Sequence, residues 1–326
     1  MSTPNVENYM LGRGSLYFTV LDTDTGLYGT ERHLGNAKDF SLNINATKLE
    51  HFTTMSGLKS KDKSVISQVA PTFTFTLDEF DEENWKLLVY GVSSAISQGA
   101  SDGNTLVLGT PTKGKRYDLE KYNIQSKYLT HGAVTGTFAA AETITGGTSA
   151  ATAVIAVVRT GELILKTISG TFQSGETITG GTSAAHAVTS SALLTTAGKV
   201  DVRQTNTPFT VYLPNSDYIV DPITGGITLT PNSDVSGSIT ITFGAAAFSG
   251  TLISALASLS QEGRLRFVSD NPEGGQYEMR AWRVMVSPDG DTGLLADSWA
   301  EMKFTGEVLR DLANHPTSPY MDLIIY

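Results

Sequence analysis

Along most of this 326-residue chain, apolar and polar residues alternate with a period of two, the pattern of strands whose successive side chains point to opposite faces. GSLYFTVL opens the series and gives way to the turn DTDTG. AKDFSLNIN then sets Phe40, Leu42 and Ile44 on one face, and VAPTFTFTLDEF (69–80) does the same with Phe73, Phe75 and Leu77. Short strands crowd the second half: FTVYL, YIV, GITLT and SITITF, separated by turns at Pro214-Asn215, Pro222 to Gly226 and Pro231-Asn232. EGRLRFVSDNPEGGQYEMRAWRVMVS reads as a hairpin, PDGDTG as a turn, and SWAEMKFTGEVL and MDLIIY as closing strands. GTLISALASLS (250–260) fits strand or helix. One helix is predicted, in DEENWKLLVYG. Asp81 suits its N-cap, Glu82 and Glu83 suit the positive end of its dipole, and Gly91 suits the C′ position. Trp85 and Leu88, with Val89, form the apolar stripe that packs it onto a sheet.

One phrase occurs twice. GTFAAAETITGGTSAATAV (Gly136 to Val154) is followed 34 residues later by GTFQSGETITGGTSAAHAV (Gly170 to Val188). A two-helix repeat is excluded, because each Gly-Gly pair would cost about 2 kcal/mol in a helix interior. Between the copies, VIAVVRTGELILKTISG reads as a hairpin turning at Thr160-Gly161. Thr-Gly-Gly-Thr is read as a turn in which glycine supplies positive φ. Each copy then becomes strand, turn, strand, and two copies make one small β-domain with a pseudo-twofold. Gly-Gly-Thr-Ser could also cradle an anion on its backbone N–H groups, but no lysine follows and no helix begins there, so a plain turn is favoured. If 130–197 were cut out, KYNIQSKYLT would pair naturally with KVDVRQ, which is how an inserted domain reads.

Composition narrows the chemistry. The chain has no cysteine, so it has no disulfide framework, thiolate nucleophile or cysteine-based metal site. MSTPNVENYMLGRG lacks a basic and an apolar region, and no apolar run approaches the about 20 residues needed to span a bilayer, so a soluble chain without a signal peptide is expected. The net charge of −10 argues against gripping nucleic acid through its phosphates. The five histidines (33, 51, 131, 186 and 315) show no zinc-hydrolase spacing. Gly99-Ala100-Ser101-Asp102-Gly103 matches G-x-S-x-G, but no helix is predicted after it, and it is read as a loop. Asp22 and Asp24 read as an acidic turn, since no further calcium ligands follow. His186 faces Thr152 in the other copy, which speaks against chemistry at that position. The carboxylate pairs Asp289/Asp291 and Glu82/Glu83 read as solvation and capping. No enzyme, cofactor or metal is expected.

In this acidic chain, ATKLEHFTTMSGLKSKDKSVISQ (46–68) stands out as long and centrally basic, with a flexible centre over 57–63. It reads as a solvated hairpin tip or as an arm reaching a neighbouring subunit. The candidate contact residues are Lys48, His51, Phe52, Met55, Leu58, Lys59, Lys61 and Lys63.

GNAKDFSLNINATKLEHFTTMSGLKSKDKSVISQVAPTFTFTLDEFDEENWKLLVYG resembles the strand, arm, strand, helix unit of the tail tube (major tail) proteins of long, non-contractile-tailed bacteriophages. EGRLRFVSDNPEGG and SPDGDTGLLADSWAEMKFTGEVL resemble that family's closing strands, and DYIVDPITGGITL is similar to a hairpin common in it. The GTFxxxETITGGTSAA phrase resembles a short repeat found among phage virion proteins. The resemblance implies a mainly β chain: a tail-tube-like β-sandwich or barrel with one flanking α-helix over 1–129 and 198–326, and a small inserted β-domain built from the 34-residue repeat over 130–197, on the tube exterior. It further implies hexameric rings stacked into a tube, assembled in the bacterial cytoplasm and located in the virion tail. The partners would be other copies of the chain, together with tape-measure and terminator proteins. DNA would pass through the lumen without specific binding, and no membrane would be involved. On that pattern the Lys48–Gln68 arm bridges subunits or rings. A tail terminator, a contractile-tail tube, or a decoration or host-glycan-binding role of the insert are the alternatives.

Overall fold

A computed structural model describes residues 9–22, 24–55, 57–205, 210–259, 261–295 and 297–326. The chain is mainly β with one helix, and it forms two compact units, Met1–Ser94 with Thr251–Tyr326, and Ala95–Gly250. The first pass gives β1 (Gly14–Val20), β2 (Arg32–His33), β3 (Ala37–Thr53), β4 (Ser60–Leu77), α1 (Glu82–Val89) and β5 (Val92–Gln98). Next come β6 (Ser101–Leu108), β7 (Arg116–Asp118), β8 (Ile124–Thr135), β9 (Thr143–Gly146), β10 (Thr152–Arg159), β11 (Glu162–Ser169), β12 (Thr177–Gly180) and β13 (His186–Thr189). The second unit ends with β14 (Leu194–Ala197), β15 (Asp201–Gln204), β16 (Tyr218–Asp221), β17 (Gly226–Leu229) and β18 (Ile239–Ala245). The return is made by β19 (Phe248–Ser254), β20 (Glu262–Ser269), β21 (Tyr277–Pro288), β22 (Met302–Val308) and β23 (Met321–Ile325). The ambiguous segment at 250–260 thus begins as strand. The N-terminal stretch read for a signal lies mostly outside the described residues.

The first unit is an antiparallel sheet in the order β2-β1-β20-β21-β22-β4-β3, with β23 added to β21. The period-two alternation builds its core. Phe73, Phe75 and Leu77 of β4 are buried with Leu16, Phe18, Leu265 and Phe304. Phe40 stacks on Phe73 and on Phe267, each at 5.2 Å between ring centroids. Helix α1 is capped by the Asp81 side chain, which accepts the Asn84 N–H at 2.6 Å. Its fully buried residues are Asn84 and Leu87, whereas Trp85 and Leu88 are half-buried. Leu88 packs on the core, and Trp85 leans on Phe80 at 5.3 Å. The left-handed position that ends the helix is held by Tyr90 (φ 51) rather than by Gly91. On β21 the buried Glu278 accepts hydrogen bonds from Arg280, from Tyr326 at 2.9 Å and from Arg266 at 3.4 Å. The Arg280 hydrogen bond is the largest influence on it and, against the opposing effect of burial, the set holds its pKa at about 2.

The repeat closes on itself. β8, β11, β10, β9, β12 and β13 form a closed six-stranded barrel, because β8 pairs with β11 on one side and with β13 on the other. Leu129 pairs with Leu163, and Thr145 with Thr179. Both are pairs of equivalent residues in the 34-residue repeat, so the pseudo-twofold runs through them. The core obeys the same spacing: Phe138 and Phe172, Ile144 and Ile178, Ala151 and Ala185, and Ala153 and Ala187 are all buried. Closure satisfies both edges of every strand, and two hairpins become one stable body where each alone would be marginal.

Across this axis each copy clamps the other. The buried Glu142 accepts N–H groups from Ser183 at 3.0 Å and Thr182 at 3.3 Å, as well as the Ser183 hydroxyl, while Ala139 of its own copy donates at 2.6 Å. Glu176 receives the same set from Ser149, Thr148 and Gln173. Burial is the largest single influence on each carboxyl and pushes its pKa up, but the hydrogen bonds together outweigh it and hold both below the usual carboxylate range. The Gly-Gly-Thr-Ser turn is therefore both turn and anion cradle, and its anion is the partner repeat's glutamate. The expected role of the glycines is corrected: positive φ falls on Ala150 (φ 53) and Ala184 (φ 52), not on the Gly-Gly pairs. A Cβ on Gly180 would meet Glu142 Oε2 and Ser183 Oγ, each at 2.6 Å, so glycine is there to let the carboxylate approach.

The second compact unit is wider than the 130–197 segment expected from the repeat. The reason is β8, whose first half pairs with β14 and β18 before its second half closes the barrel. β15 pairs with β18, not with β8, which corrects the pairing expected between KYNIQSKYLT and KVDVRQ. β18 lies between them because Ile239, Ile241 and Phe243 need a second core, shared with Ile124, Val202, Tyr218 and Ile227. Ser101 and Gly103, expected in a loop, begin strand β6, which pairs with β18. The FTVYL strand does not form: Tyr212 is buried with only an isolated bridge at Val211, and Phe209 lies outside the described residues.

Removing either clamp leaves buried N–H groups unpaired. Glu142→Ala or Glu176→Ala is expected to destabilise the second unit by about 3 kcal/mol in chemical denaturation. Since the folded carboxyls of Glu142, Glu176 and Glu278 titrate below their unfolded values, the stability they supply is complete above about pH 4.5 and is lost as pH falls through the folded pKa. For Glu278 that window reaches down to about 2. Glu278→Gln should flatten the acid side of the stability curve, and an unchanged curve would show that this carboxylate does not drive acid unfolding.

Candidate functional site

β3 and β4 are the longest strands, at 17 and 18 residues, and they pair from Ala37 with Leu77 to Thr53 with Ser60. β4 meets its other neighbour, β22, only between Leu77 and Thr72. From Ile44 and Pro71 outward, among the described residues, the pair is a two-stranded ribbon; ten residues at strand rise carry it about 30 Å. The basic segment expected to be flexible at 57–63 is instead strand from Ser60 onward, where Ser60 pairs with Thr53. Bulges between Thr47 and Lys48 and between His51 and Phe52 add local twist.

Register places every arm residue. Lys48 lies opposite Ile66, His51 opposite Lys63 and Phe52 opposite Lys61; Met55, Leu58 and Lys59 occupy the turn. Part of the positive charge is neutralised within the hairpin, where Lys61 pairs with Glu50. His51 Nδ1 lies 2.6 Å from Asp62 Oδ1. Lys59 sits over the Phe52 ring, 5.2 Å from its centroid. Lys48 and Lys63 form no ion pair among the described residues. The face that carries Phe40, Phe73 and Phe75 in the core continues outward through Leu42, Ile44, Val69 and Ile66, all exposed. The opposite face presents Leu49 against Val65, both exposed as well. A ribbon with two wet apolar faces has little to hold it in isolation. Its outer strand, β3, is also one of the two ends of the sheet's strand order among the described residues, the other being the two-residue β2.

The loop between β21 and β22 carries a second apolar cluster that periodicity does not single out. Leu295 is 97% exposed and Trp299 88% exposed, among the exposed Asp289, Asp291 and Asp297. The available signal was two leucines and a tryptophan set among glycine and aspartate, a composition that suits neither core strand nor plain turn. Asp22 caps its own turn by accepting the Asp24 and Thr25 N–H groups. Among the described residues no three His, Asp or Glu side chains converge to hold a metal, and no helix is long and apolar enough to cross a membrane.

These features define a mainly β protein with an open antiparallel sheet, one protruding ribbon and a closed six-stranded barrel. Residues 9–144 and 166–324 match the model of the family described as Protein of unknown function UCP028589, and the chain belongs to that family. The unmatched 145–165 segment runs from the end of β9 and the first Gly-Gly turn through all of β10 into the first half of β11. Comparison with curated proteins gives no match.

The ribbon contributes no side chain to the core outward of Ile44 and Pro71. Replacing residues 48–67 by an Asn-Gly turn is expected to change the unfolding free energy of the isolated chain by no more than about 1 kcal/mol, read by chemical denaturation.

Proposed function

We propose that this chain is a structural subunit that assembles with copies of itself into stacked rings, forming the tail tube of a long-tailed bacteriophage, through which DNA is ejected. The observation that carries the reading is the β3–β4 ribbon. A long two-stranded hairpin with apolar residues on both faces, continuous with an open 17-residue edge strand, calls for another chain to cover it. A neighbour that adds to the β3 edge extends the sheet from subunit to subunit, and such head-to-tail contacts close into a ring when the rotation fits. The barrel, with its edges already satisfied, is left out of ring closure and acts as an accessory body. A net charge of −10 suits a conduit that lets duplex DNA slide without holding it. On this reading the protein's activity is docking to itself, with no chemical step.

Negative-stain microscopy and sedimentation of the purified chain test this. Long hollow tubes of stacked rings are expected, and they should be lost when residues 48–67 are replaced by the Asn-Gly turn. Single closed rings that never stack would point instead to a tail terminator. A monomer at all concentrations would sink the proposal.

A further inference from the structure

Two unlike surfaces lie at opposite ends of the same sheet. The ribbon tip extends β3 and β4 away from the register pairs Ala37–Leu77 and Met302–Leu77. The β21–β22 loop leaves Pro288 and enters Met302 at that other end, anchored by the Asp289 N–H to the Lys303 carbonyl at 2.9 Å and by the Lys38–Glu301 ion pair at 2.5 Å. The tip presents Met55, 97% exposed, with Lys59 and Lys63. The loop presents Leu295 and Trp299 with Asp289, Asp291 and Asp297, and its sequence from Asp289 to Glu301 contains no lysine or arginine. Among the described residues these three aspartates make no ion pair. Within the ribbon Lys61 pairs with Glu50 and His51 lies against Asp62, which leaves Lys59 and Lys63 without an ion pair among the described residues, beside the exposed Met55. The loop sets its three aspartates beside the exposed Leu295 and Trp299, so the charges left without an ion pair are opposite in sign on the two surfaces.

We infer that the β21–β22 loop is the receptor for the ribbon tip of a second copy of this chain, with Met55 packing against Leu295 and Trp299 while Lys59 and Lys63 face Asp289, Asp291 and Asp297. Burial of the apolar centre supplies the attraction, and the charges fix partner and orientation. The indole face of Trp299 also offers a lysine ammonium a cation–π contact. Because donor and acceptor surfaces sit at opposite ends of one sheet, the contact is heterologous and propagates along the strand direction instead of closing a pair. This rests on the self-assembly reading above and assigns its axial contact.

The absence of cysteine allows a direct test. Full-length chains carrying Met55→Cys and Leu295→Cys are mixed and treated with a short bis-maleimide cross-linker. The mixture is expected to give about tenfold more cross-linked pairs than either variant alone. Lys59→Glu with Lys63→Glu in the first chain should abolish that excess, and Asp291→Lys with Asp297→Lys in the second should restore it. If native tubes form but the mixture shows no excess, the loop is not the receptor and the self-assembly reading stands. If the excess persists through the charge reversals, the charge pairing is overturned. If the native chain does not assemble and the mixture shows no excess, both readings fall.

Discussion

A β-strand brings two rows of backbone N–H and C=O groups that must find partners, and this chain meets that demand in two opposite ways. In the second unit the repeat satisfies every edge internally. β8 and β11 pair across the pseudo-twofold, as do β9 and β12, and six strands close into a barrel. In the first unit the sheet ends at β3, whose outer edge stays open and whose hairpin with β4 runs on beyond the core. The barrel is finished by its own chain, and the first unit's sheet ends on an edge that the proposed self-assembly would complete. The proposed self-assembly follows from that contrast.

The barrel also shows how a repeat becomes a fold. A buried carboxylate is tolerated only when its lone pairs are filled, and each copy's Gly-Gly-Thr-Ser turn offers the N–H groups and hydroxyl that fill them. Neither copy can complete its own clamp, since Glu142 is served by Ser183 and Glu176 by Ser149. The pairing is thus specific as well as stabilising. Symmetry lapses where it is not needed: Thr152 and His186 start the equivalent strands β10 and β13 outside the core. At the position equivalent to Leu165 it is His131 that is buried, stacked edge-on to Phe138 at 6.0 Å.

Much of the strand inventory was legible because its cause is local. Phe73, Phe75 and Leu77 alternate with threonines, and no other backbone period buries all three. The β20–β21 hairpin, the Thr160-Gly161 turn and the Asp81 cap were readable for the same reason. Glycine was misread in the repeat turns because sequence gives residue type but not φ. Positive φ went to Ala150 and Ala184, and the glycines were kept for the other copy's carboxylate, Glu176 against Gly146 and Glu142 against Gly180, far away in the chain. The arm was found by its length and charge. Its pairing as a ribbon out to Thr53 and Ser60 was missed, since cross-strand register is invisible in either strand alone.

What the chain by itself determined is the mainly β class, the single helix, the two-copy β-module with its pseudo-twofold and the unusual basic hairpin, because each is written in spacing over a few residues or in a literal repeat. What only the tertiary structure decided is which strands neighbour which. Insertion of β18 between β8 and β15, the Glu142 and Glu176 clamps, the free edge of β3, and the placement of Trp299 and Met55 at opposite ends of one sheet all depend on contacts between residues far apart in sequence. Such contacts are selected by the joint burial of many side chains, and no local pattern records that choice.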